Sequence, residues 1–283
     1  MSGVSVVLSL CAAAFYGAGD FCGGVATRRA QILATVATSH LVGLLTGVVA
    51  LALVPAPHVG AADLAWGSAG GLVGGVGVAF LYLSLARGTM SVVAPITAST
   101  AAVLPVFIGL GLGERPSAVA LVGVVLAVTA IALLSMDDAP AHAERRQRNR
   151  LALLTALAAG AAFAVLFTFW SRTSSDSGLW PLVAARATSA GCALLIAAAT
   201  RRPAIVPGPA MGVTVLAGLL DMVANVSYLL AVRHGLLSLV AVLTSLYPAT
   251  TVMLAMSLLG ERIVRIQRVG LALALVSVAL IVV

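Results

Sequence analysis

Four ionisable side chains stand inside long apolar runs of this chain: Asp20, His40, Arg186 and Asp221. In hydrocarbon each such group costs about 2.5 to 3.5 kcal/mol on insertion scales, so each marks a place where function offsets the cost. Asp221, Asn225 and Tyr228 fall at i, i+4 and i+7, which aligns an acid, an amide and a phenol along one helix face. Tyr16 and Asp20 share a face in the same way. Such a set can line a polar cavity, bind a solute by hydrogen bonds and exchange a proton with it. His40 adds an imidazole, which ordinarily titrates near neutral pH. Of the two acids, Asp221 is the better coupling group, because Asn225 and Tyr228 flank it while Asp20 falls nearer a helix end. The competing reading is structural: both acids pair with Arg186, His40 or a backbone group and only orient the helices.

Other residues carry weaker signals. Phe163, Phe167 and Trp170 repeat at helical spacing, a stripe that binds a cationic or apolar ligand if it faces a cavity. Turned to lipid or to a neighbouring helix, the same stripe is packing. Gly67, Gly71 and Gly75 recur every fourth residue beside Gly70, Gly74 and Gly77, which predicts a close helix contact more than a ligand site. Pro95, Pro105 and Pro248 are expected to interrupt their helices and free carbonyls, as gating helices require. Glu114 and Glu261 each precede an arginine at a helix end, predicting an interfacial salt bridge or, more sharply, a gate latch.

The elements that position these groups follow from composition. Of 283 residues 61% are hydrophobic and only 9% charged, with a mean hydropathy of +1.13. A soluble domain carries about 25% charged residues, so a secreted domain, a cytosolic enzyme and a nucleic-acid binder are all disfavoured. This composition predicts an all-α integral membrane protein with the lipid bilayer as its main partner. The basic balance comes from 16 arginines and no lysine, mostly flanking apolar stretches, which suits lipid headgroups and not a nucleic-acid stripe. Cys11, Cys22 and Cys192 lie in apolar segments as small buried thiols, and no metal or cofactor motif is legible. Residues 4–14 lack the charged start of a signal peptide and read as part of a retained first span.

A membrane helix needs about 20 apolar residues. Windows of that length fall at 4–26, 31–54, 64–86, 89–112, 116–135, 151–171, 179–200, 210–232, 236–259 and 264–283. The polar stretch 136–150 is the expected linker between a first unit, 1–135, and a second, 151–283. The halves repeat: Tyr82, Arg87 and Ser91 recur as Tyr228, Arg233 and Ser238, with His234 inserted, and Gly113-Glu114-Arg115 recurs as Gly260-Glu261-Arg262. His40 and Arg186 match at the same offset as Tyr82 and Tyr228. Five spans per repeat is an odd number, so the second repeat enters from the opposite side and the duplication is inverted, as in many secondary transporters.

With its Gly19-Asp20-Phe21 in the first helix, its duplicated Tyr-Arg-Gly turn and its two Gly-Glu-Arg helix ends, the chain resembles the drug/metabolite transporter superfamily, EamA family. The resemblance implies a ten-helix transporter of amino acids, metabolites or drugs by alternating access across a bacterial cytoplasmic membrane, more often an exporter. It also implies an arginine at the position of His40. A monomer suffices for this, with a homodimer as the alternative. Sidedness stays open: loops after odd-numbered spans hold most arginines and so place both termini outside, whereas relatives have cytoplasmic termini. Two other classes share some of these features. A passive channel shares the duplication but would need a legible filter. An intramembrane aspartyl protease is hinted at by Gly17-Ala18-Gly19-Asp20 with Asp221 as second acid.

Overall fold

A computed structural model of the chain describes residues 2–88, 90–111, 113–134, 143–260 and 265–282. All regular structure among them is helical: α1 (Gly3–Thr27), α2 (Ile32–Ala50), α3 (Ala61–Arg87), α4 (Met90–Gly111), α5 (Ala118–Leu134), α6 (Ala143–Ser171), α7 (Trp180–Ala199), α8 (Ala210–His234), α9 (Leu237–Thr244), α10 (Pro248–Leu259) and α11 (Arg265–Val282). Short 3-10 turns follow α2 at Leu51–Leu53 and precede α7 at Ser175–Ser177. Long apolar segments have no water with which to satisfy their amides, so the backbone closes its hydrogen bonds within each helix. Hydroxyls do likewise: Thr46, Thr168 and Thr188 each donate to the carbonyl four residues earlier.

Among the described residues, seven stretches are long and apolar enough to cross a membrane: α1, α2 with its 3-10 turn, α3, residues 150–171 of α6, α7, α8, and α9 with α10 taken together. The expected fourth, fifth and tenth spans correspond to α4, α5 and α11, which are helical but not among those seven. The expected linker is shorter than its polarity suggested. Helix α6 begins at Ala143, so positions 143–150 form its first two turns. Glu, Arg and Gln are good helix formers, and charge alone does not end a helix.

The distribution of polarity is that of a protein in lipid. Val49, Leu195 and Leu258 are exposed on the outside, while His40, Arg186 and Asn225 are buried. A water-facing surface would reverse this order. Helix α1 lies along α8 and α3 along α6; α3 also packs on α7, α2 on α7 and α8, α4 on α6 and α9, and α5 on α11. Glycines set the closest of these approaches. A methyl group on Gly67 would stand 2.8 Å from Pro181 Cα, and one on Gly71 2.5 Å from Ala185 Cα, so α3 meets α7 backbone to backbone. Gly70, Gly74 and Gly77 face Trp170, Leu166 and Phe163 of α6 instead.

The bundle end holding the start of α1 is cross-tied. Ser2 and Ser5 hydroxyls donate to the His234 and Ala231 carbonyls of α8 at 3.0 and 2.9 Å. Asp63 accepts from the Ser174 amide at 2.7 Å, and Arg233 donates to the Ser174 carbonyl at 2.9 Å. Glu114 completes the set. Its carboxylate accepts from the Leu237 and Ser238 amides at 2.8 and 3.1 Å and from the Ser238 hydroxyl at 2.6 Å. The expected arginine salt bridge at Glu114 is therefore replaced by a cap on the first turn of α9, where unsatisfied amides and the helix dipole favour an anion. Glu261 lies outside the described residues. Glu114→Ala is expected to lower the melting temperature in detergent, reflecting about 2 kcal/mol or more for hydrogen bonds to a charged group. Glu114→Gln, which keeps one acceptor, should fall between it and the parent.

Candidate functional site

Midway along the helices is a cavity with an empty volume of about 760 Å³. Seven elements wall it: α1, α3, α4, α6, α7, α8 and the junction between α9 and α10.

Its polar side is a connected relay. Arg186 on α7 donates through Nη2 to Asp221 Oδ2 on α8. Asn225, one turn on, donates to the same oxygen at 3.2 Å. Tyr16 on α1 donates through its hydroxyl to Asn225 Oδ1. Arg186 and Asn225 thus meet at one carboxylate, with Tyr16 of α1 joined through Asn225, and the ion pair is buried enough to resist screening by salt. The i, i+4 spacing of Asp221 and Asn225 does what was expected of it. Asp20 is half-buried and lines the cavity with Asp221, and α1 runs seven residues past it, to Thr27.

The other wall is aromatic. Phe163, Phe167 and Trp170 all line the cavity, as does Tyr16, whose ring centroid is 6.1 Å from that of Phe167. Tyr228 does not line it. It is fully buried behind the wall, stacked on Phe167 at 4.2 Å with an interplanar angle of 27°. Its hydroxyl has no hydrogen-bond partner among the described residues. His40 also lies outside the lining, buried on α2 with both ring nitrogens unpartnered, and its Cε1 faces Gly75. Its counterpart Arg186 is in the lining, so the two basic positions do not share one role.

Pro248 is the first residue of α10 and lies just behind the lining. Lacking an N–H, it ends the ladder of α9, and the chain passes through Ser245, Leu246 and Tyr247 with Leu246 and Tyr247 donating to carbonyls three residues back. Thr244, Ser245 and Tyr247 of this break line the cavity. The expected interruption of α4 does not occur: the helix continues through positions 95 and 105. One missing amide is tolerated where neighbouring helices hold the segment. The chemistry of Tyr82, Ser189, Thr244 and Tyr247 at the cavity was not anticipated. Tyr82 had only marked the repeat, and Ser189 stands one turn from Arg186, the one signal that could have found it.

Residues 150–283 match the model of the EamA-like transporter family. A solved crystal structure superposes on 99% of this chain and 96% of its own with a TM-score of 0.71 at 16% identity. At that identity the likeness is one of fold. None of the curated proteins matches the chain.

Proposed function

We propose, from the match of residues 150–283 to the model of the EamA-like transporter family, that the protein is a secondary transporter moving small organic solutes across the cell membrane by alternating access. The observation that carries this reading is the mid-bundle cavity, built from helices of both halves around the Arg186–Asp221 pair. Ten spans in two inverted five-helix repeats complete the reading. Support comes from which helices are neighbours: with α9 and α10 counted as the ninth span and α11 as the tenth, exchanging each span with the one five later turns the α1–α8 contact into α6–α3 and α3–α7 into α8–α2. The α2–α7 and α5–α11 contacts map onto themselves. Two interchangeable gates around one site are what such symmetry provides. Export is the direction we assign, with Asp221 as the group that takes up the proton, in a bacterial cytoplasmic membrane.

The test is counterflow. Solutes that raise the melting temperature of the purified protein, drawn from amino acids, nucleosides, sugars and quaternary amines, are loaded into proteoliposomes. Uptake of labelled solute should then saturate and be accelerated by unlabelled solute inside. Uptake that neither saturates nor responds to the opposite side identifies a passive facilitator and ends the alternating-access reading.

A further inference from the structure

What the cavity takes can be argued from its charges, and the argument rests on reading it as the transport site. The formal charges among its described lining residues are Asp20, Asp221 and Arg186. Arg186 donates to Asp221, so that pair is electrically closed. Asp20 has neither a hydrogen-bond nor an ionic partner among the described residues, and the acid nearest it, Asp221, repels it. A lone carboxylate in an apolar setting carries an uncompensated desolvation cost. A bound cation removes it.

The surroundings suit an organic cation better than a metal ion. Tyr16, Tyr82, Phe163, Phe167, Trp170 and Tyr247 supply ring surface to the cavity. Ring faces attract weakly hydrated ammonium groups, more strongly where water is excluded. Two lining residues also keep unused polar atoms: Trp170 is 3% exposed with Nε1 unpartnered, and Thr244 is 1% exposed with Oγ1 unpartnered. The indole N–H can only donate. A zwitterion or an anion would have to draw Arg186 from Asp221, whereas a cation meets Asp20 with that pair intact. We propose that this cavity binds monovalent organic cations, with Asp20 as counter-ion and the aromatic wall as cage.

The experiment is equilibrium binding by calorimetry to the full chain in phosphatidylcholine nanodiscs, without any gradient. The probes share a phenyl ring and differ in charge: phenyltrimethylammonium, benzyl alcohol, L-phenylalanine and benzoate. Phenyltrimethylammonium is expected to bind at least about tenfold more tightly than the other three, the ratio that a difference of about 1.4 kcal/mol gives. Asp20→Asn should erase that preference, whereas Asp20→Glu should keep it. Equal binding of all four probes, tightest binding of L-phenylalanine or benzoate, or an unaltered preference in Asp20→Asn each overturns the proposal. Should Asp20→Asn not fold, the charge series on the parent and on Asp20→Glu decides. Counterflow of a neutral or zwitterionic solute without cation preference refutes the cation assignment and spares the transporter. Cation binding without counterflow does the reverse.

Discussion

Asp221→Asn is expected to abolish transport driven by a pH gradient while leaving substrate exchange between vesicle compartments within about threefold of the parent, a change of less than 1 kcal/mol. The amide keeps the size of the side chain and an oxygen that can accept from Arg186 and Asn225, the two groups that meet the carboxylate. It cannot take up a proton. Driven transport needs one protonation event per cycle, whereas exchange needs only that the loaded cavity reorient. The charged and titratable groups around Asp221 are Arg186 on α7, Asp20 and Tyr16 on α1 and Tyr82 on α3, so a substrate that loosens the ion pair changes the proton affinity of the acid. On the proposed reading, that change is the coupling. Leaving a guanidinium without its counter-charge costs about 3 to 5 kcal/mol where the pair is well buried, so the double variant with Arg186→Gln serves as the folding control. Full gradient-driven flux in Asp221→Asn would remove it as the coupling group. A variant that folds only as the double substitution and then transports normally would make the pair purely structural.

The second large effect is on stability. Gly71→Ala should lower the melting temperature sharply, by an amount reflecting about 3 kcal/mol of overpacking. The new methyl would lie 2.5 Å from Ala185 Cα and 2.6 Å from its carbonyl carbon, and neither is the end of a flexible side chain that could turn away. Gly218→Ala belongs to the same group, with Ser39 Cα 2.9 Å from the added carbon. Two glycines give the control within the same molecule. At Gly191 on α7 and Gly212 on α8 nothing lies within 4 Å of the added methyl, so alanine there should be neutral or slightly stabilising by its helix propensity. If Gly71→Ala melts with these controls, α3 and α7 are not in backbone contact.

Most helix limits were legible in the sequence because hydropathy windows and punctuation by Arg, Pro and Gly report directly on length. The span expected at 116–135 is a helix over Ala118–Leu134, and that at 179–200 one over Trp180–Ala199. Hydropathy missed the early start of α6 because it registers charge, while a helix registers backbone preference. Proline was an ambiguous sign. Pro248 opens a break, yet α4 passes positions 95 and 105 without one, and nothing in the flanking residues distinguishes the cases. Within the site, short spacing was reliable and long spacing was not. Asn225 joins Asp221 across one turn, but Tyr228 lies seven residues and so about 10 Å along the axis, beyond the depth of the cavity and behind Phe167. Tyr82 and Tyr247 were out of reach, because a helix apolar on all sides does not declare which face turns inward.

The glycine contacts also bear on how such a molecule can move. Helices separated by a layer of side chains slide by letting that layer repack; helices in backbone contact have no layer to repack, and a shift of one residue drives a Cβ into a main chain. At Gly67 and Gly71 the α3–α7 pair is of the second kind, and at Gly218 so is α8 against Ser39 of α2. Those four helices therefore behave as a stiff frame. On the proposed reading, the place in the cavity wall that differs from this frame is the interrupted Thr244–Pro248 segment, where the ladder of intrahelical bonds is already broken and which packs on Gly17 of α1 at Tyr247. A substitution in the frame should then change how much protein survives, while one in the interrupted segment should change how fast solute is exchanged.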